Sequence, residues 1–210
     1  LGLWSAELFL TTLEALQGES ESKITACAGI AFTKPSYPFD QGYEIAENLC
    51  DSAKQKRRQY LDELSDQSDL NRTKNDLSLL DFHIVQGGIF GDLDQVRSTG
   101  YSDESGLLIG RPFAIGKGQE GYHSLQSAAT GIGEWPANKI KELREVAYKG
   151  NTEIDKFYQH CKKQNLEVPD LLKTRARQVL GNPKELDICE YLDQVPGWLR
   201  KQTEAMGTKK

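Results

Sequence analysis

The chain has 210 residues, which is the size of one ordinary domain or of two small ones. Apolar residues make up 38% and charged residues 27%, so the composition suits a chain with a hydrophobic core and excludes an intrinsically disordered protein. The formal net charge of −5 argues against bulk binding of nucleic acid. No apolar run approaches the roughly 18 residues that a membrane span requires.

Charge is distributed unevenly along the chain. Residues 1–134 contain 11 basic and 20 acidic side chains, whereas residues 135–210 contain 15 basic and 11 acidic ones. The asymmetry indicates two regions with different neighbours, although solvated helix faces would give the same pattern.

The four cysteines lie far apart and form no CxxC pair. This spacing argues against a zinc site and against a disulfide scaffold, and it predicts free thiols in a reducing cytoplasm. Cys27 and Cys50 fall in apolar stretches, so we expect both to be buried.

The first part of the chain has the pattern helix, strand, helix, strand. The predicted helices cover residues 5–16 and 42–64, where apolar side chains recur at helical spacing. The predicted strands cover residues 24–33 and 79–85. Two strands are too few for a complete sheet domain, so we expect at least one further strand pair before Leu1.

The second part of the chain is predicted to be helical. Residues 87–121 are rich in glycine and lack a helical period, which predicts an extended connector with a hairpin over residues 107–113. Helices are predicted over residues 135–148, 152–164, 170–180 and 184–192. The predicted domain limits are therefore 1–86, 87–121 and 122–210.

The stretch with the most chemical information is the first predicted strand and the helix that follows it. Gly29 lies in mid-strand, where a glycine lets a ligand or another backbone approach closely. Lys54 and Arg58 are four residues apart, so they share one helix face beside the apolar stripe and are suited to grip a triphosphate. From composition alone, a solvated basic face is the more common explanation.

A second candidate is the Asp–His pair of the second predicted strand. Asp81 and His83 are two residues apart and therefore share one face of the strand. No nucleophile motif such as G-x-S-x-G accompanies them, so we expect His83 to be a hydrogen-bonded structural residue.

The order of these residues resembles the C-terminal half of the GGDEF/palm nucleotidyl-cyclase fold. The strand is similar to the family pattern ITxSxGIA, with Cys27 in place of the serine. The helix is similar to the family's helix in its Ala-acidic pair, Ala46-Glu47, and in the later pair Ala53-Lys54. It differs where Arg57-Arg58-Gln59 replaces the family's GRN. The matching residues are Ile24, Thr25, Gly29, Ile30, Ala31, Ala46, Glu47, Ala53 and Lys54.

With these departures, the sequence resembles one branch of that fold, the polymerase-like large subunit of type III CRISPR effector complexes. The similar segments are residues 28–38, the helix residues 46–54, the strand residues 81–85, the Arg111-Pro112-Phe113 motif and residues 135–150, so that the resemblance covers about residues 3–150. It implies an α/β fold, namely the C-terminal half of a ferredoxin-like palm, followed by an all-α C-terminal domain.

The resemblance also implies a function. In that family, binding of target RNA activates the palm to make cyclic oligoadenylate from ATP. The Mg²⁺ or Mn²⁺ ions are held by a Gly-Gly-Asp-Asp hairpin that is absent from this sequence, so no catalytic residue and no metal ligand is assigned here. Lys54 and Arg58 are the expected phosphate contacts, and Cys27 and Gly29 the expected nucleotide contacts.

The implied partners are the other subunits of a cytoplasmic ribonucleoprotein, a small subunit and RAMP-type subunits, with guide RNA and target RNA nearby and no membrane. Two alternatives stay open. The first is a GGDEF-type diguanylate cyclase fragment, against which the helical extension after residue 122 argues. The second is a non-catalytic scaffold subunit of the same complex, with a degenerate palm.

Overall fold

The structure is a computed structural model that describes residues 2–16, 24–65, 77–85, 92–103, 106–115, 121–174 and 181–194. It is a mixed α/β protein. In chain order its elements are α1 (Gly2–Leu16), β1 (Cys27–Phe32), α2 (Phe39–Ser65), β2 (Ser78–Ile84), α3 (Leu93–Gly100), β3 (Ser102–Asp103), β4 (Gly106–Leu107), β5 (Phe113–Ile115), α4 (Gly121–Gly133), α5 (Ala137–Ala147), α6 (Asn151–Lys163), α7 (Asp170–Thr174) and α8 (Glu185–Gln194).

The chain divides into two compact units. The first comprises residues 1–96, 111–122 and 179–181, and the second comprises residues 97–110, 123–178 and 182–210. The segment predicted as a connector, residues 87–121, therefore contributes to both units.

The first unit is built on a three-stranded mixed sheet in the order β1-β2-β5. β1 and β2 are parallel, with Gly29 opposite Asp81, and α2 connects them. β5 is antiparallel to β2, with Phe113 opposite Leu80. The predicted order helix, strand, helix, strand is confirmed for this part of the chain.

The two faces of this sheet are covered by different helices. Because side chains alternate along a strand, Cys27, Gly29 and Leu79 share the face on which α2 lies. The core of that face consists of Ala53, Leu77, Leu79 and Ala114, with Cys27 and Tyr60 packed against it. α1 lies on the opposite face, where a Cβ on Gly2 would be 3.5 Å from Cγ2 of Ile30.

The prediction that residues 87–121 contain no helix is wrong, because α3 occupies Leu93–Gly100. Leu93 and Arg97 are four residues apart and therefore lie on one side of α3, and both side chains are buried. This buried side stabilises the helix despite the surrounding glycines. The amphipathic pattern of α3 is difficult to recognise in the sequence because the helix has only eight residues.

The hairpin predicted over residues 107–113 is also wrong. The observed hairpin pairs β3 with β4, so that Ser102 lies opposite Leu107. Gly106 has a φ of +115°, a backbone conformation that favours glycine. Phe113 and Ala114 are fully buried in β5, so the apolar end of the predicted hairpin contributes to the sheet of the first unit instead.

The second unit contains the helices predicted for the C-terminal part. α5 packs against α6 and α8, and a buried cluster joins Tyr101, Ile109, Ala147 and Leu186. The indole nitrogen of Trp135 donates to the carbonyl of Glu167 at 3.1 Å, which connects the start of α5 to the segment after α6. The helix predicted over 170–180 begins at Asp170, and residues 175–180 lie outside the described residues. None of the described helices combines the length and the hydropathy that crossing a membrane requires.

All four cysteines are free thiols, as the sequence predicts. Cys27 and Cys50 are only half-buried, contrary to expectation, whereas Cys161 and Cys189 are buried. The Cys27 side chain is on the face that α2 covers, but among the described strands β1 has a neighbour, β2, on one side only, so burial of the thiol is incomplete.

The buried thiol of Cys189 predicts a pH dependence of stability. Desolvation raises the pKa of Cys189 to about 12, above the ordinary value of 9.0. The folded state therefore binds the thiol proton more tightly than the unfolded state, so this contribution to the free energy of unfolding is present below pH 9 and is lost as the pH rises towards 12. We expect the Cys189→Ala variant to lose less stability than the native protein between pH 9 and pH 11. Urea unfolding at each pH measures this difference, and equal losses in the two proteins would contradict it.

Candidate functional site

Gly29 is held in place by α2. A Cβ at this position would lie 2.2 Å from the carbonyl oxygen of Ala46, 2.4 Å from the amide nitrogen of Cys50 and 2.9 Å from Cβ of Leu49. The close approach that the sequence predicts at Gly29 is therefore made by the backbone of the following helix. On this face of β1 there is no space for a ligand at Gly29, and a nucleotide contact of this residue stays a prediction.

Lys54 projects from the middle of α2 into solvent. Its Nζ lies 2.8 Å from Oδ1 of Asp51, one turn earlier on the same helix. The hydrogen bond from Lys54 to Asp51 raises the pKa of the lysine, so the ammonium group stays charged at neutral pH. A phosphate that binds Lys54 has to compete with the Asp51 carboxylate.

Arg58 follows Lys54 by one helical turn and is exposed. The predicted pairing of the two cations on one face of α2 agrees with the observed continuous helix, because residues four apart are neighbours on a helix surface. Neither residue lies in the first turn of α2, so the helix N-terminus does not contribute to this cationic face and any phosphate contact depends on the side chains.

Cys27 lies close enough to Lys54 and Arg57 for their charges to act on its thiol. Burial raises the pKa of the Cys27 thiol, and a backbone hydrogen bond with Leu79, followed by the positive charges of Arg57 and Lys54, partly offsets this effect. The thiol of Cys50 donates to the carbonyl oxygen of Cys27 at 3.4 Å. The structure thus brings Cys27 and Lys54 into one neighbourhood. The raised pKa makes Cys27 a poor nucleophile at neutral pH.

Arg57 is the residue of this neighbourhood that the sequence did not single out. Its Nε donates to the carbonyl of Leu77 at 2.8 Å, which connects α2 to the residue just before β2. In the sequence, Arg57 lies three residues after Lys54, within a run in which four of five residues are basic. Such a run does not show which of its side chains packs against the sheet and which are exposed.

Other predicted features are part of the core of the first unit. Asp81 and His83 are buried on the same face of β2, in agreement with a structural role for His83. Arg111 is also buried. Its Nη1 donates to the carbonyl of Phe82 at 2.6 Å, and its guanidinium lies 4.2 Å from the centre of the Phe82 ring. The Arg111-Pro112-Phe113 motif therefore has a packing function in this structure.

The residues that the structure describes contain no group of three or more His, Cys, Asp or Glu side chains that could hold a metal ion. The Mg²⁺ or Mn²⁺ that the resemblance implies thus has no fitting ligand set among them. The chain matches no known protein family, and no curated protein is significantly similar to it.

Proposed function

We propose that this chain is the C-terminal half of a nucleotidyl-cyclase-like palm, with a helical C-terminal region, from the large subunit of a type III CRISPR effector complex. The observation that supports the proposal is the β1–α2–β2 unit. Its strand carries the GIA sequence under a long helix, and Lys54 of that helix lies near the first residue of the strand. The strand and helix motifs with which the resemblance begins therefore lie in one continuous structural unit.

In this proposal, the palm makes cyclic oligoadenylate from ATP in the cytoplasm when target RNA binds. The residues of this chain attract the substrate: Lys54 and Arg58 present two positive charges to the triphosphate. Divalent metal ions are supplied by carboxylates outside this chain. Guide RNA, target RNA, a small subunit and RAMP-type subunits are the proposed partners.

A second candidate, a non-catalytic scaffold subunit of the same complex, has its own support. Asp51 already pairs with Lys54, and α2 fills the face of Gly29. Both residues therefore have structural neighbours that account for their presence without a nucleotide.

The test is ATP turnover by the parent complex with Mg²⁺ and target RNA. We expect Lys54→Ala to lower RNA-dependent oligoadenylate formation about tenfold or more, because a charged contact to the triphosphate is lost. The matched control is Lys56→Ala. Lys56 is an exposed lysine two residues further along α2, hence on another side of the helix, and we expect no change. If neither the native complex nor the variants form product, the scaffold function replaces the catalytic one. If the two variants behave alike, Lys54 has no specific role.

A further inference from the structure

Two of the four cysteines lie on elements of the first unit that pack against each other, Cys27 in β1 and Cys50 in α2. The thiol of Cys50 donates to the carbonyl oxygen of Cys27 at 3.4 Å. The two thiols also interact electrostatically, and this interaction contributes to the raised pKa of Cys27. The two side chains are therefore neighbours in the folded protein, although they are 23 positions apart in the sequence.

Gly29 brings the backbones of the strand and the helix close together beside this pair. The amide nitrogen of Cys50 lies 2.4 Å from the position that a Cβ on Gly29 would take, so α2 rests directly on the backbone of β1 at this point. Cys27 precedes Gly29 by two residues, and its side chain is on the same face of the strand. A disulfide requires Cα atoms about 4.4–6.8 Å apart, a spacing that a helix reaches over a strand only with such a close approach.

The pair also differs from the other two cysteines in access and in charge. The thiols of Cys27 and Cys50 are half-buried and can be reached by a small reagent, whereas both cysteines of the second unit are buried. The positive charges of Arg57 and Lys54 act on the Cys27 thiol. Such charges favour the thiolate, which is the reactive form of cysteine, and they attract an anionic reagent.

We propose that Cys27 and Cys50 form a reversible disulfide by exchange with a small-molecule disulfide such as oxidised glutathione, and that this bond fixes α2 to β1. Oxidised glutathione carries carboxylates, which suits the positive charges beside the pair. In a reducing compartment the bond forms when the ratio of oxidised to reduced glutathione rises, and it is reduced again when that ratio falls. The proposal depends on the contacts of these two side chains and is independent of nucleotide binding.

The exchange takes place in two steps. In the first, the Cys50 thiolate attacks one sulfur of oxidised glutathione, the glutathione S–S bond breaks, and the leaving glutathione takes up the proton that Cys50 lost. In the second, the Cys27 thiolate attacks the Cys50 sulfur and releases the other glutathione, which takes up the proton of Cys27. The two cysteines thus lose two electrons and two protons, and two molecules of reduced glutathione form. Burial raises the pKa of Cys27 and slows the second step, but this step is intramolecular and benefits from a high effective concentration.

The experiment incubates the folded protein with excess oxidised glutathione and maps the cysteines by mass spectrometry. Cleavage after Glu44 and Glu47 separates Cys27 from Cys50, so that only a disulfide keeps their peptides together. We expect the Cys27–Cys50 bond to exceed the glutathione adduct of Cys50 about tenfold or more, and dithiothreitol to reverse it. A persistent adduct on Cys50, a bond between two chains, or pairing that occurs only in denaturing urea would overturn the proposal.

A serine variant connects the product to this contact. Cys27→Ser removes the thiol that attacks in the second step, so we expect the glutathione adduct on Cys50 to persist. The matched control is Cys161→Ala, which changes a buried cysteine of the second unit and leaves the pair intact, and we expect the Cys27–Cys50 bond to form as before. Absence of any adduct from Cys27→Ser would show that Cys50 is not the thiol that reacts first.

Thermal unfolding of the native protein needs no variant. The disulfide closes a loop between residues 23 positions apart, so we expect the oxidised protein to unfold at a midpoint about 5 °C or more above that of the reduced protein. Equal midpoints for the two forms would contradict the inference that the bond fixes α2 to β1.

Discussion

Gly29→Ala is expected to destabilise the protein by about 3 kcal/mol or more, at the upper end of the effects that overpacking produces. The new methyl group would lie 2.2 Å from the carbonyl oxygen of Ala46 and 2.4 Å from the amide nitrogen of Cys50. Both atoms belong to the backbone of α2. They cannot rotate away as a flexible side chain would, so the whole helix has to move off the sheet. Urea unfolding followed by circular dichroism measures the loss.

Gly42→Ala is the matched control for this substitution. Gly42 lies within α2, and the nearest described atoms to a Cβ there belong to the side chains of Thr33 at 3.4 Å and Tyr37 at 3.8 Å. Because alanine loses less backbone entropy than glycine on forming a helix, we expect a gain of about 0.5–1 kcal/mol. A Gly29→Ala variant that unfolds within about 0.5 kcal/mol of the native protein would show that α2 does not lie this close to β1 in solution.

Asp187→Ala is expected to destabilise the protein by about 3 kcal/mol, because it leaves two backbone amides without an acceptor. Oδ2 of Asp187 accepts from the amide of Gly110 at 2.7 Å and from the amide of Lys184 at 2.9 Å. The Asp187 side chain is fully buried, so water does not readily replace it. The carboxylate also lies in the first turn of α8, where a negative charge interacts favourably with the helix dipole.

Two further variants separate the loss of the hydrogen-bond acceptor from the loss of the negative charge. Asp187→Asn keeps an acceptor oxygen and removes the charge, so we expect a loss of only about 1 kcal/mol. Asp193→Ala removes an acid from the same helix whose ion pair with Arg144 is largely exposed, and we expect less than about 1 kcal/mol. The measurement is the midpoint of urea unfolding at constant m-value. Equal losses for Asp187→Ala and Asp193→Ala would show that the buried carboxylate does not connect Gly110 to α8.

Local patterns in the sequence determined α1, β1, α2 and β2 of the first unit. The helical spacing of apolar side chains predicts α2, and the β-branched and small residues around Gly29 predict β1, because both signals lie within one element. The same reasoning indicated that something approaches Gly29 closely. It identified the basic face of Lys54 and Arg58, because residues four apart on a helix are always neighbours.

Tertiary structure alone decided what those residues contact. That α2 fills the face of Gly29 depends on how the helix folds back over the strand, and the sequence equally allowed a ligand there. β5 joins the sheet because the side chains of Phe113 and Ala114 become buried beside β2, a strand some 30 residues earlier in the chain. Asp187 reaches Gly110 across 77 residues. Such pairings depend on which surfaces exclude water together, and local sequence periodicity contains no information about them.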